Sequence, residues 1–481
     1  MSSQKHTKVL IAGGSVAGLT LANILEKLGI DYLVLEKYGK IAPDLGASIG
    51  ILPYGLRIFD QFGCFEDVKA LLNGVDAGEL LTQRDDNGKV VLLFEGANKR
   101  ITERFGYSPV FVDRQMIIQV LYDKLPDKSK VLTNKGVTEV RQSTGGVEVV
   151  TADGETYHGD ILVGADGIHS TVREEMWRLA DQETPGYFPV SDRSIPTEYC
   201  CIFGISRPSE KFPCSTQNVQ GRNNSYLVLT GPDHRIYWFL FKKLSVTAYG
   251  KIPRYTKDQE DALVAEHASD HITDTLTFGE LYALRKTSTL QALPEVVFSK
   301  WHYNRIMTIG DAAHKFNPIS GHGGNSAIED AAVLADQLHD LFSRKGESIT
   351  DADFVKAFRT TQSLRVDRAT ALLKFSHAQQ SVQAMDAVTS KFIARYIVPL
   401  HHAEKMIDVL CGTSRGGTHI KALPLPNRPH SDVWDDEKGA NLVDWRRVGY
   451  VFSATVAALA VFSTQTQLLP IASMRKLLLS S

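Results

Sequence analysis

The chain has 481 residues, 43% hydrophobic and 22% charged, which is ordinary globular composition and enough for two or three domains. Its 53 basic and 55 acidic residues nearly cancel, and no local block of like charge stands out, which excludes the footprint of a nucleic-acid binder. The five cysteines (Cys64, Cys200, Cys201, Cys214, Cys411) lack metal-ligand or redox spacing, which argues against a disulfide framework and suits a reducing compartment.

In chain order, the polar MSSQKHTK runs straight into a strand-like VLIA with no signal-peptide apolar region, which places the catalytic part on the cytosolic side. Lys8–Ala12 predicts a buried strand, followed by a Gly-rich turn, a helix to about Leu28, and a second strand at Tyr32–Glu36. Asp86-Asn87-Gly88 carries turn chemistry and predicts a hairpin over 78–95. Arg114–Lys124 has helical periodicity. Strands at 136–142, 146–151 and 155–158 lead to an apolar strand at Asp160–Ala165. From 185 to 297 the stretches YCCIFGIS, SYLVLTG and RIYWFLFKK are aromatic and β-branched, predicting an inserted antiparallel sheet with helices near 257–268. Arg305–Ile309 returns to a strand, Asn325–Leu341 and 350–410 to helix, and the proline-bearing, charged 422–445 reads as a linker.

The C-terminus differs. Between Val448 and Met474 there is no charged residue, with Arg446 and Arg447 before and Arg475 and Lys476 after. Twelve of the fifteen residues Val448–Phe462 are apolar, but Ser463–Gln467 interrupts the run, and a spanning helix needs roughly 20 mostly apolar residues. A short anchor, an interfacial helix and a helix docked on the enzyme all compete. Membrane association is the favoured expectation, with the catalytic part facing the cytosol at the endoplasmic reticulum; a soluble cytoplasmic chain is the alternative.

Three stretches carry chemistry. In VLIAGGSVAGLTLA (9–22), Gly13 and Gly18 hold the first and third positions of a turn that delivers a helix N-terminus to a pyrophosphate, and Ser15 stands where the middle glycine is usual. Glu36 is placed to accept both ribose hydroxyls of an adenosine, and its charge repels a 2′-phosphate, so this site should take FAD or NAD rather than NADPH. A glycine-rich turn without a ligand is the alternative. In DILVGADGIHSTVR (160–173), Asp166-Gly167 joins a buried strand to a helix that Ser170 helps start, which alone is only a capped polar turn. In IGDAAHKFNPISGHGGNSAIEDAAVLA (309–335), Asp311 suits a sugar-alcohol hydroxyl, and Pro318–Gly324 loops to a helix starting near Asn325. That helix end carries about half a positive charge and, aimed at a flavin pyrimidine edge, stabilises the negative charge of reduced flavin. Ordinary capping explains the loop if it stands alone.

The order of these motifs over residues 5–345 resembles the single-component FAD-dependent monooxygenases related to salicylate and para-hydroxybenzoate hydroxylases. GASIGILPYGLRIFDQFG (46–63) and KFNPISGHGGNSAIEDAA look most like fungal enzymes that epoxidise the prenyl chains of meroterpenoids and indole-diterpenes. The resemblance implies an α/β fold: a Rossmann-like FAD-binding domain (1–184 and 298–345), an inserted antiparallel substrate sheet (185–297), a helical C-terminal part (346–421), the linker, and the apolar tail (446–481). It implies that Glu36 binds the adenine ribose, Gly50 touches the cofactor through its backbone, Arg114 contacts FAD, Asp166 sits near the pyrophosphate, Asp311 binds the ribityl chain, and Gly323, Gly324 and Asn325 lie by the flavin ring. His322 departs from the usual glutamine and reads as a packing residue.

By the same resemblance, NADPH is a transient reductant, O2 adds to the flavin as a C4a-hydroperoxide, and the partner is a hydrophobic small molecule. Alkene epoxidation is favoured over phenol hydroxylation by the membrane-like tail and the prenyl-epoxidase-like motifs, and no obvious base for a phenol emerges from the sheet. Tyr226 is the one candidate for a group facing the flavin from that sheet, against the alternative of a buried strand tyrosine. A non-catalytic prenyl-binding escort protein is the distant alternative. Spaced metal ligands are lacking.

Overall fold

The computed structural model describes residues 7–43, 48–143, 145–345, 348–400 and 403–437. The apolar tail 446–481 and the last part of the expected linker lie outside the described residues.

The first sheet runs in the order His302–Tyr303, Ile306–Thr308, Thr156–Gly164, Thr7–Ala12, Tyr32–Leu35, Val131–Leu132, with Gly146–Thr151 and Val137–Ser143 alongside Thr156–Gly164. Its middle strands are parallel, with Ala12 level with both Leu35 and Gly164. They are buried on both faces, which is why they read as nearly unbroken apolar runs. Because they run in parallel, their carboxyl ends all reach one edge of the sheet. The strands expected at 155–158 and 160–165 are one continuous strand, and the helix expected at Asn325 begins at His322.

The second sheet is ordered Arg285–Pro294, Thr197–Ser206, Ile236–Ala248, Asn224–Thr230, Thr216–Gln220, Leu80–Arg84, Val90–Glu95. The hairpin over 78–95 forms and joins this sheet, through a parallel pairing of Leu80–Arg84 with Thr216–Gln220. The sheet therefore draws two strands from outside 185–297. Period-two alternation splits its side chains. Tyr226, Val228, Trp238 and Leu240 pack under the helices Lys257–His267 and Phe278–Ala283. Leu227, Leu229, Tyr237, Phe239 and Phe241 face Phe111 and Ile319.

Helix Asp351–Ala384 lies against helix His322–Lys345, and charge sits in their interface. Glu329 and Asp330 on one, and Arg365 and Arg368 on the other, are all buried. Asp330 accepts from Arg365 Nε at 2.9 Å and from the Gly310 N–H at 3.0 Å, and meets His314 Nε2 at 2.6 Å. Glu329 accepts from Arg368 Nε at 2.9 Å and from the Thr418 N–H at 2.9 Å. Buried ions are tolerable only when their lone pairs and protons are met this fully.

The stretch 422–437, expected as a linker, is instead a docked strap. Trp434 is buried against Phe105, ring centroids 4.9 Å apart, with the Arg57 guanidinium 4.4 Å over its ring. Arg57 also pairs with Asp436 at 2.9 Å and Glu437 at 3.3 Å, and Asp336 accepts the N–H groups of Lys421 and Ala422. Prolines and charges suit an extended chain in either role; the aromatic anchor decides for docking. Among the described residues, no helix is long and apolar enough to cross a membrane.

Burial alone would raise the Asp330 carboxyl, but the charges of His314 and Arg365 outweigh it and hold it down at about 2, below the ordinary 3.8. A depressed carboxyl stabilises the fold above its unfolded value and loses that contribution as pH falls through the folded one. Stability from this group should therefore decline between about pH 4 and pH 2. Arg365→Met leaves a buried carboxylate unmet and should cost about 3–5 kcal/mol, read as a lower urea midpoint at pH 7. Loss of the exposed Arg344–Asp340 pair should change stability by less than about 1 kcal/mol.

Candidate active site

The site is assembled on the carboxyl edge of the first sheet. Gly13 follows the first strand at φ +106°, and a Cβ there would sit 2.5 Å from the Ala165 carbonyl oxygen. A Cβ on Gly18 would lie 2.0 Å from the Gly13 oxygen. Glycine is thus required at both positions for the turn to close onto helix Val16–Lys27. No side chain caps that helix, leaving its first N–H groups for an anion.

Glu36 ends the second strand and turns back over this loop. Its Oε2 accepts from the Gly14 N–H at 2.6 Å and its Oε1 from the Tyr38 N–H at 2.9 Å, and the remaining lone pairs stay available to ribose hydroxyls. Ser15 does not cap the helix. Its hydroxyl accepts from Arg114 Nη2 at 2.6 Å, which brings the Arg114 guanidinium to the turn.

Asp166 follows the Thr156–Gly164 strand, with its Cα 3.2 Å from where a Gly13 Cβ would stand. One oxygen accepts from the Val172 N–H at 3.1 Å; the other is buried without a partner. Burial pushes this carboxyl up, against the hydrogen bonds from Ser170 and Val172. An orphaned acceptor beside the glycine turn fits a hydroxyl of a bound dinucleotide. Asp311, one element further along the edge, is paired with Lys315.

The first turn of helix His322–Lys345 holds His322, Gly323, Gly324 and Asn325. A Cβ on Gly323 would meet only Asp311 Oδ1, 3.9 Å away, so this position is open, whereas one on Gly324 would collide with Ile49 at 2.6 Å. Asn325 is buried, and its amide donates to the carbonyls of Gly50 and Gly321 at 2.8 Å each while its oxygen accepts from the Leu52 N–H at 2.9 Å. It therefore fastens the Gly50 strand to the helix start. His322 packs inward, with Nδ1 2.9 Å from the Tyr54 hydroxyl and its ring against Phe375. Burial, then the Arg368 charge, push it down to about 3, so it is neutral at physiological pH.

The residues expected at the cofactor are thus brought to one sheet edge: Gly13, Ser15, Gly18, Glu36, Arg114 and Asp166 at the first turn, and Gly50, Asp311, Gly323, Gly324 and Asn325 around the second helix end. Tyr226 is not among them. It lies on the opposite face of its sheet, donating to Asp270 Oδ2 at 2.7 Å and packed on Phe278. Its neighbours Leu227 and Leu229 face inward instead, so strand alternation corrects the expectation. Two features went unread in the sequence. One is the His314–Asp330–Arg365 chain, which sets the loop after Gly310. The other is the Arg235–Asp113 ion pair at 2.5 Å, which ties the second sheet to the strand before Arg114. Their partners are remote in sequence, and no spacing signals them.

A glycine turn at a parallel strand end and a carboxylate on the next strand define the class of proteins that bind a dinucleotide at the carboxyl edge of a parallel sheet. The chain belongs to the FAD binding domain family, whose profile matches residues 6–352. It is an FAD-dependent monooxygenase. It is 38% identical over 433 residues to the FAD-dependent monooxygenase ausM of Penicillium brasilianum, covering 89% of this chain and 90% of that one. It is 37% identical over 447 residues to andE of Emericella variicolor, with 92% and 93% covered. Among solved structures, Klebsiella pneumoniae HpxO complexed with FAD and uric acid aligns with a TM-score of 0.69 at 22% identity, covering 85% of this chain and 97% of that one. Pseudomonas aeruginosa PqsL in complex with 2-aminobenzoylacetate aligns at 0.62 and 18% identity, with 79% and 97% covered. At these identities the structures share the fold.

Glu36→Ala removes a charged acceptor from the adenosine end of the site. FAD affinity should fall about 10- to 100-fold, the equivalent of one charge-assisted hydrogen bond, in a fluorescence-quenching titration of the apoprotein. Far-UV circular dichroism should stay unchanged.

Proposed function

We propose that this monooxygenase takes reducing equivalents from NADPH and epoxidises an alkene in the prenyl chain of a farnesyl-type meroterpenoid intermediate of secondary metabolism. The observation that carries this reading is the inner face of the second sheet. Phe111, Phe203, Ile205 and Leu227 are half-buried there beside Phe239 and Ile319, the latter in the loop that leads to the flavin helix. Such a wall suits a long hydrocarbon chain. Its ionisable members, Tyr199, Cys201 and Tyr237, are pushed far up, the thiol by burial and the two tyrosines by burial and then by Asp386 and Asp113 respectively, so all three stay protonated. A phenol is hydroxylated best as a phenolate, which wants a base; an alkene presents its π electrons without one.

Bound FAD supplies the oxygen activation that no side chain provides. The protein's own part is to hold and exclude. The open Gly323 position and the helix N-terminus behind it would hold the flavin ring, and Arg114 and the glycine turn would hold the pyrophosphate. The aromatic wall keeps water from the reacting alkene. We further propose that the apolar tail 446–481 keeps the enzyme at the cytosolic face of the endoplasmic reticulum, where prenylated intermediates partition.

The test is NADPH oxidation by the purified, FAD-loaded chain with a farnesylated phenolic acid or with simple phenols, and mass analysis of the products. Faster flavin reduction and a product heavier by one oxygen on the prenyl chain are expected from the farnesylated compound. Turnover of simple phenols alone would replace this reading with aromatic hydroxylation.

A further inference from the structure

Beyond helix Asp351–Ala384 the chain continues through an α turn at Val388–Phe392, a π segment at Ile393–Ile397 and a 3-10 turn at Val398–Leu400. Its inner side is docked through the buried Ser390 and Ala394. Its outer side shows Val388, Phe392, Tyr396 and Leu400, which are 88%, 44%, 56% and 74% exposed. Four-residue spacing drifts around an ordinary helix of 3.6 residues per turn, and the wider π turn counteracts that drift. The rings of Phe392 and Tyr396 are 5.2 Å apart, so these two do share a face. Four large exposed apolar side chains within one short segment, two of them ring against ring, are more than the scattered exposed hydrophobics of a soluble surface.

Positive charge lies beside this segment. Lys391 is exposed next to Phe392. Arg395, next to Tyr396, reaches Asp86 at 3.2 Å, but Asp86 also takes Arg222 at 2.9 Å, so two guanidiniums share one carboxylate and a net positive charge remains. Apolar side chains flanked by cations are the pattern of an element lying in a lipid interface over anionic headgroups. Residues 438–481 lie beyond the described body and include the uncharged run Val448–Met474 bracketed by Arg446, Arg447, Arg475 and Lys476.

We propose that the Val388–Leu400 stripe is a second membrane contact, made by the folded body itself, which inserts Phe392, Tyr396 and Leu400 into the headgroup region of an anionic bilayer. It extends the membrane reading of the tail and does not depend on how the tail binds. Such a contact sets the orientation of the enzyme on the lipid, which attachment at one segment alone leaves free.

The test uses the full chain with Cys214, its one incompletely buried thiol, replaced by serine. An NBD fluorophore is placed at Phe392→Cys or, as a control, at Val190→Cys. Val190 is 82% exposed and follows the Pro189 turn near Ser299 and Gln362. Gln362 and Ala384 are about 33 Å apart along their helix at ~1.5 Å per residue, so the control lies far from the stripe. With phosphatidylcholine–phosphatidylserine vesicles, the label at 392 should shift to the blue and be quenched by acyl-brominated lipid, while the label at 190 should do neither. A water-like label at 392 on a chain that floats with the vesicles would overturn the stripe and leave the tail reading standing. Failure to float would overturn both. A blue shift without vesicles that grows with protein concentration would make a second copy of this chain the occupant and overturn the proposal.

Discussion

Four charges kept out of water organise this molecule. Glu329 and Asp330 stand in consecutive positions on the helix whose first turn carries Gly323 and Gly324, and Arg365 and Arg368 stand one turn apart on the helix behind it. None of the four is tolerable alone in an apolar interface, so the two helices are held in the register that pairs them all. The pairing also reaches outward. Through the Gly310 N–H and His314, Asp330 fixes the strand exit that carries Asp311, and through the Thr418 N–H, Glu329 fixes the chain returning from the last helix. The Arg368 guanidinium lies 4.8 Å over the Tyr54 ring, and the Tyr54 hydroxyl meets His322 at the start of the helix. The polar interior is thus a positioning device for the cofactor edge.

On that frame the two sheets divide the work. The parallel sheet delivers backbone: glycines, helix ends and three carboxylates (Glu36, Asp166 and Asp311) at one edge, where a long polar cofactor can be held by N–H groups and hydroxyl acceptors. The antiparallel sheet delivers side chains: one face closes over its own helices, and the other offers aromatic rings toward Ile319. A separate two-stranded sheet, Ser48–Ile51 with Val110–Asp113, is stitched twice: Arg235–Asp113 joins it to the second sheet, and Asn325 joins it to the helix end. A shift of the second sheet would therefore be felt at the helix end that holds Gly323 and Gly324.

What was legible in the sequence follows from how local each constraint is. Gly13, Gly18 and Glu36 could be read because a tight turn with close backbone approach admits few residues, and those residues lie near one another. The hairpin at Asp86-Asn87-Gly88 was legible for the same reason, but its sheet was not, because strand partners are chosen by the whole fold. Tyr226 shows the limit of strand reading: alternation tells that 226 and 227 face opposite ways without telling which way is inward. Arg365 and Arg368 looked like ordinary charges on a helix, and their burial depends on residues more than thirty positions away. The strap at 422–437 was misread because proline and charge describe an extended chain equally well whether it is loose or anchored by Trp434.

That strap bears on the order of events during synthesis. Its tryptophan fills a slot made by Phe105 and Arg57, and the Thr418 N–H just before it completes the partners of Glu329. Both are contributed by some of the last residues of the described body to leave the ribosome. The core cannot close around them until residues 418 and 434 have been translated, so the cofactor edge that depends on this core is finished only after them.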